Sequence, residues 1–334
     1  MPGAKLQDSP VFQNFLETSL EYRRSPDNAK LLLEALGYSI SDCTKGKTSF
    51  FLIGPSSSGK SVILEFIKMI LSADDTTQIP FSNLSNRFEK GMLHNSRVNL
   101  CSELSEKGFP QIDIFKAITA GDTMFAEHKG KDGFFFRPKV KLWNAGNVMP
   151  VPKYGDGTKA IVERLTFLRF KQSVPREKWN IRMLDELFEE RDVICSLAVD
   201  TLKELIDKNF AFCIPADSAE YTKFYEESLN SIDVFIEEEC EFFPEAMVSS
   251  KDFLGEYLAF CDNNLFAKSI TIQIFTQKIC SLNGVKKERR RVEGDQKMYF
   301  IGIQKKNALH KPEECAGKNK KIVFNTGNKK HSQD

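Results

Sequence analysis

The sequence predicts an α/β fold: a parallel sheet covered by helices, then a helical segment and a second, smaller unit. Three observations carry that prediction. Between Thr48 and about Phe170, short apolar runs alternate with helical patterns ("FFLIG", "VILEFIKMIL", "RVNLCSE", "DIFKAIT", "KVKLWNAGN", "RLTFLRF"), as a parallel sheet with crossover helices requires. Residues 176–209 place apolar side chains at 184, 187, 188, 194, 197, 198, 202 and 205, the three-four spacing of amphipathic helix. Beyond about residue 225, two helical patterns are followed by two extended ones around a Glu-Gly-Asp turn.

Taken in order, residues 1–45 mix polar loop with a helical stretch near Ala29–Leu36, closed by Gly37. The sheet-forming region is 46–175 and the helical segment 176–224, with "CIPADS" (213–218) as a joint. In the unit at 225–304, "SSKDFLGEYLAFCDNN" is a helix with Ser250 as N-cap, and "TIQIFTQKICSLNG" a helix stopped by Gly284. Helix, turn, helix and β-hairpin describe a winged helix. Residues 305–334 hold eight lysines against three acids and read as a basic disordered tail.

Composition narrows the function classes. The chain has 334 residues, enough for two domains, and is 41% hydrophobic and 28% charged, as ordinary globular proteins are. Its formal net charge of +1 does not call for a polyanionic partner, so any nucleic-acid surface must come from local clusters. The eight cysteines stand singly, without metal-ligand spacing, and read as reduced thiols. No secretory h-region and no apolar run long enough for a membrane span is present, which predicts a cytoplasmic chain with no membrane partner.

The stretch "FFLIGPSSSGKS" carries the chemistry. It fits G-x-x-x-x-G-K-[ST] with Gly54, Gly59, Lys60 and Ser61, delivered by a strand and continued by a helix. In that setting the loop and first helical turn, Gly54, Pro55, Ser56, Ser57, Ser58, Gly59, Lys60, Ser61 and Val62, wrap one point, and their N–H groups (all but Pro55 have one), backed by a helix dipole, hold phosphate oxygens. Lys60 neutralises the outer phosphates of ATP and the Ser61 hydroxyl ligands Mg2+. An extended run ending at Glu103, with Glu106 behind it, offers a carboxylate to orient water and help hold the metal. A third run ends in Asn147, whose amide can bond both water and phosphate. Lys129 and Lys131 stand in "AEHKGKDGFF", a glycine-flanked hairpin tip near a His128 expected in solvent, while Phe134 to Phe136 support the hairpin or stack on bases. Lys286, Lys287, Arg289, Arg290 and Arg291 form a basic run on the smaller unit.

Together these motifs resemble superfamily 3 helicases, most closely the helicase portion of phage and plasmid primase-helicases of the poxvirus-type group. The resemblance covers about 30–170 and extends over 225–304, where such proteins carry a winged-helix domain. It implies an AAA+-like P-loop NTPase core that binds ATP and Mg2+. It also implies a homo-oligomeric ring, usually a hexamer, acting on single-stranded DNA in a phage or plasmid replication system within the host cytoplasm. Carried over, Lys60 and Ser61 take the Walker A roles, Glu103 Walker B and Asn147 the sensor. Arg164 becomes an arginine finger reaching the neighbouring subunit, and Lys129 and Lys131 touch DNA in the channel. Ser102 stands where many members have a second acid, and Pro55 with three serines where glycines are common. About 50 residues precede the loop, too few for a primase domain, so three expectations stay open: a separate primase or origin-binding protein as partner, a piece of a larger primase-helicase, or a stand-alone helicase. Two other classes remain open: a DNA-binding ring-assembly or initiator module using ATP for oligomerisation, and a P-loop phosphotransferase, for which no lid segment is evident.

Overall fold

The computed structural model describes residues 3–105, 108–130, 132–152, 158–264, 272–292 and 295–306. It opens with two helices, α1 (Pro10–Leu20) and α2 (Pro26–Ile40), each started by a proline at a position whose N–H has no helical partner. The N-terminal region is therefore more helical than the single stretch expected near 29–36.

The chain then runs through β1 (Ser49–Ile53), α3 (Lys60–Ile70), β2 (Thr76–Thr77), α4 (Glu89–Met92) and β3 (Val98–Cys101). It continues with α5 (Ile112–Ala120), the hairpin strands β4 (Met124–Ala126) and β5 (Phe134–Phe136), β6 (Lys141–Gly146), α6 (Thr158–Val162) and β7 (Leu165–Arg169). The predicted parallel sheet is present, ordered β2-β3-β6-β1-β7, with every pairing parallel. One expectation needs correction. The role expected of Glu103 puts its strand beside the one that delivers the Gly54 loop, but β6 lies between β3 and β1. All six residues of β6 are buried, so "KLWNAG" takes a central place in the sheet.

Period-two alternation splits the strands between two cores. Phe50, Leu52, Leu100, Trp143, Ala145 and Leu168 face α1, α2 and α3. On the other side Phe51, Ile53, Cys101, Leu142 and Phe167 face α5 and the C-terminal half. The first face is completed by α7 (Met183–Glu189) and α8 (Arg191–Asp207). Gly37, expected to stop α2, is interior to it. A Cβ there would stand 2.2 Å from the Ala198 carbonyl oxygen, so the bare glycine lets α2 press against α8.

A long helix, α9 (Ala216–Glu239), covers the second face. The boundary expected at 224/225 falls inside it. Tyr221 packs edge-on against Phe167 at 4.9 Å, and the Tyr225 hydroxyl donates to the Pro150 carbonyl at 2.6 Å. After β8 (Cys240–Glu241) come β9 (Met247–Ser249), α10 (Ser250–Asn263), α11 (Ile272–Cys280), β10 (Lys286–Val292), β11 (Asp295–Ile301) and β12 (Gln304–Lys305). The two helices and hairpin expected here are observed, joined by a third strand in the antiparallel order β10-β11-β9. Two local details differ. The cap of α10 is Ser249, which accepts the Asp252 N–H at 3.5 Å, rather than Ser250. α11 ends at Cys280, and Gly284 (φ +83°) turns the chain toward β10 instead of closing the helix. Phe235, Phe253, Tyr257, Phe275 and Phe300 of this unit share one core with the sheet.

The seven described cysteines are free thiols, and no helix among the described residues is long and apolar enough to cross a membrane. Residues 307–334 of the expected tail lie outside the described residues.

Candidate functional site

The site is built where β1 runs out. A Cβ on Gly54 would lie 1.9 Å from the Phe170 carbonyl oxygen, so only glycine lets the chain leave the sheet this close to the end of β7. Gly59 has φ +98°, and a Cβ there would meet Ser19 Oγ of α1 at 2.5 Å. From behind, Ser173 Oγ donates to the Ser56 carbonyl and the Val174 N–H to the Ser57 carbonyl, both at 2.8 Å. With the carbonyls drawn backwards, the amides are left facing the other way. Among the described residues, the backbone N–H groups from Ser56 through Ser61 have no protein acceptor. Six consecutive free donors ahead of a helix form a strongly anion-seeking concavity.

Lys60 adds charge to it. The side chain is only 8% exposed, and Nζ donates to the carbonyls of Gly54 (2.8 Å) and Pro55 (2.5 Å) and to Ser58 Oγ (3.3 Å). No carboxylate among the described residues pairs with it, and burial pushes its pKa below the usual lysine value. A buried ammonium satisfied by dipoles but not neutralised favours an incoming anion.

The parallel register brings the other sequence-predicted groups to the same edge. Ile53 is level with Gly146, and the Gly54 N–H donates to the Gly146 carbonyl at 3.2 Å, so Asn147, exposed, begins beside the loop. Cys101 is level with Asn144, and the Leu104 N–H donates to the Ala145 carbonyl at 2.8 Å. Exposed Glu103 therefore stands next to the end of β6, one strand away from the loop. Glu106 lies outside the described residues.

Arg164 is elsewhere. It precedes β7, whose first residue pairs with Ser49, so it sits at the opposite edge of the sheet. Six residues of strand separate its level from Gly54, about 20 Å at the usual rise. Its Nη1 donates to the Ala160 carbonyl at 2.7 Å, and its buried Nε has no hydrogen-bond partner among the described residues. The cation at the loop's own edge is Arg169, level with Ile53, whose guanidinium lies 3.9 Å over the Tyr221 ring. Sequence reasoning passed over it because β-strand burial of "RLTFLRF" was the stronger signal.

Beside the loop opens a cavity of about 480 Å3, lined by Asn14, Phe15, Thr18 and Ser19 of α1, by Ser57–Val62, and by Val174, Lys178, Trp179, Asn180, Ile181 and Met183. Its size falls within the roughly 300–1,000 Å3 of small-molecule sites. Two walls were missed from sequence, α1 and the 174–183 segment. The latter starts behind the loop, where the Val174 N–H is bonded to the Ser57 carbonyl, and lines the cavity beside it. Trp179 remains 51% exposed there and Ile181 94%.

Of the expected nucleic-acid contacts, Lys129 is exposed in the turn between β4 and β5, and Lys131 lies outside the described residues. His128, expected in solvent, is half-buried and stacks on Phe134 at 4.9 Å and 25°, because the strand pleat turns Phe134 and Phe136 inward. Phe135 points out, 74% exposed, edge-on to Phe125 at 5.3 Å. Lys286, Lys287, Arg289, Arg290 and Arg291 are all exposed on β10, with Arg290 bonded to Glu288.

Residues 52–164, about a third of the chain, match a family of unknown function, DUF5906. No curated protein matches. Among solved structures, the chain is similar to the apo C-terminal region of NrS-1 in its A form, at 13% identity and a TM-score of 0.47, covering 88% of this chain and 75% of that one. A second structure of that region (residues 305–718) gives 12% identity, the same coverage and the same TM-score. JCV helicase with a bound acetamide ligand is similar at 14% identity and a TM-score of 0.30, over 63% of this chain and 65% of that one.

Proposed function

We propose that this chain binds ATP with Mg2+ and hydrolyses it as a superfamily 3-type, AAA+-like helicase or translocase. In this reading a homo-oligomeric ring, expected to be a hexamer, acts on single-stranded DNA. The observation that carries the nucleotide reading is the loop: six free amides and a buried, unneutralised Lys60 at one point, opening on a cavity of about 480 Å3. Chloride or a carboxylate would use the amides alone, whereas an anion with a bulky attached group, such as a nucleotide, uses the cavity too.

Each chain group has a defined task. The free amides and Lys60 hold the phosphate oxygens, and Lys60 exchanges its carbonyl partners for the ligand's charge. The Ser61 hydroxyl and the Glu103 carboxylate are both exposed, hard oxygen donors of the kind Mg2+ takes together with phosphate oxygens and water. When bound, the metal draws charge off the phosphate oxygens. Glu103 orients a water and accepts its proton, and Asn147 bonds that water and the outer phosphate without changing the charge of the site. Arg164, about 20 Å from its own loop by register, can complete only a site on another copy. To do so its guanidinium must leave the Ala160 carbonyl. Lys129 and Lys131 grip DNA phosphates, with Phe135 as the ring available for base stacking. The three-stranded C-terminal unit acts as a winged helix whose basic β10 is a second DNA contact.

Tryptophan fluorescence tests the nucleotide site directly. Trp143 is fully buried and Trp179 half-exposed at the cavity, so ATP should change emission through Trp179 alone. A saturable change that Trp179→Phe abolishes supports the assignment. Unchanged emission together with no heat of ATP binding refutes it.

A further inference from the structure

Helix α1 makes one wall of the cavity, yet it lacks a cap of its own. Its N-cap residue, Ser9, makes no side-chain bond to the helix backbone. One carboxylate from far along the chain does this instead. Glu190, at the α7–α8 junction, accepts the Val11 N–H at 3.0 Å and the Phe12 N–H at 2.9 Å, and the fully buried Ser9 hydroxyl at 2.5 Å. An isolated helix of 11 residues is marginal in water, so its first turn depends on these bonds. That turn runs directly into Asn14 and Phe15, which line the cavity, and then into Ser19, which abuts Gly59. At the other end, Glu21 pairs with Lys171 at 3.5 Å and accepts from Gln172 Nε2 at 2.9 Å, which fixes α1 to the segment behind the loop.

We infer that Glu190 is a positioning residue for the ring-bearing end of the ligand. It sets the α1 wall of the cavity, while the loop holds phosphate by itself. The inference rests on the nucleotide reading and divides its binding energy into two parts. Loss of the Glu190 carboxylate frays the first turn of α1 and weakens the ring's contact but leaves the loop in place: Ser173 and Val174 hold the Ser56 and Ser57 carbonyls, Lys60 is held by the Gly54 and Pro55 carbonyls, and Glu21 separately anchors the end of α1 that abuts Gly59.

The test compares two probes, ATP and inorganic tripolyphosphate, which shares the phosphates and lacks the ring. Binding of each is measured by calorimetry to wild type, Glu190→Ala and Glu190→Gln. The glutamine keeps the side chain's shape and one acceptor oxygen, so it decides the matter if the alanine variant does not fold. We expect ATP affinity to fall about tenfold, the equivalent of losing a helix cap, with tripolyphosphate affinity within about twofold of wild type. The inference is overturned if both probes weaken equally, or if neither weakens in folded variants. Wild-type protein that binds neither probe overturns the nucleotide reading itself, a result distinguishable from the other two.

Discussion

Replacing Lys60 by methionine should separate its cost to the fold from its use to the ligand. In the folded chain its ammonium is buried, bonded to two carbonyls and a hydroxyl, and neutralised by no described carboxylate. Methionine fills much the same slot without the charge. The fold then loses donors to the Gly54 and Pro55 carbonyls, at about 1–3 kcal/mol for an unsatisfied buried group, and is relieved of desolvating a charge. These terms oppose each other, so unliganded stability should move by no more than about 2 kcal/mol, or several degrees in Tm for a chain this size. Triphosphate binding has no such compensation. A lost hydrogen bond from a charged donor is worth about 1.5–3 kcal/mol, a factor of roughly 10–150 in Kd. At ATP about 100 times the wild-type Kd, wild type gains about 2.7 kcal/mol of stability, whereas a variant bound about 100-fold more weakly gains about 0.4 kcal/mol. Thermal unfolding with and without ATP reads both numbers. Equal ATP-induced shifts in the two proteins would refute the assignment of Lys60.

Glu103→Gln should keep ATP binding and lower turnover by about 10²–10⁴-fold. Normal single-turnover hydrolysis would transfer the role to another acid, Glu106 first. Arg164→Ala should bind ATP normally and hydrolyse it about 10³-fold more slowly. Mixing it with Lys60→Ala should restore some activity if sites are shared between copies, and no recovery in rings shown by mass to be mixed excludes sharing. Lys129→Ala should leave basal hydrolysis intact and reduce the slope of log K against log salt for single-stranded DNA by about 0.7; an unchanged slope places the DNA elsewhere, first on β10. Lys141, fully enclosed in β6, has its pKa pushed down to about 8 by burial, so between about pH 8 and 10.5 the unfolded chain binds the extra proton and stability rises with pH. Denaturation midpoints across that window should rise for wild type relative to Lys141→Met, and parallel curves would contradict this.

The sheet and the loop were legible in the sequence because they depend on local rules. Apolar runs of strand length punctuated by glycine can be read without tertiary knowledge, and "GPSSSGKS" declares its own turn. Strand order was not legible: whether β3 or β6 neighbours β1 depends on which strand must be buried on both flanks, a property of the assembled sheet. The α1 wall was hidden for a related reason. Its apolar positions Phe12, Phe15, Leu16 and Leu20 keep the three-four helical spacing, but the carboxylate that caps it, Glu190, lies some 180 residues away in sequence, so its place against the loop is not a local property. Gly37 misled because a glycine after a helical stretch reads equally as a stop or as a close contact, and only the Ala198 carbonyl on the facing helix decides between them.

If the proposed function holds, this loop binds a nucleotide that is hydrolysed in response to single-stranded DNA. The most direct measurement is the steady-state rate of ATP hydrolysis with Mg2+, with and without single-stranded DNA, in wild type beside Glu103→Gln. Turnover should rise with DNA in wild type and be lower by about 10²–10⁴-fold at both conditions in the variant. Hydrolysis that DNA leaves unchanged, or that survives undiminished in Glu103→Gln and Lys60→Met alike, would contradict the proposed function.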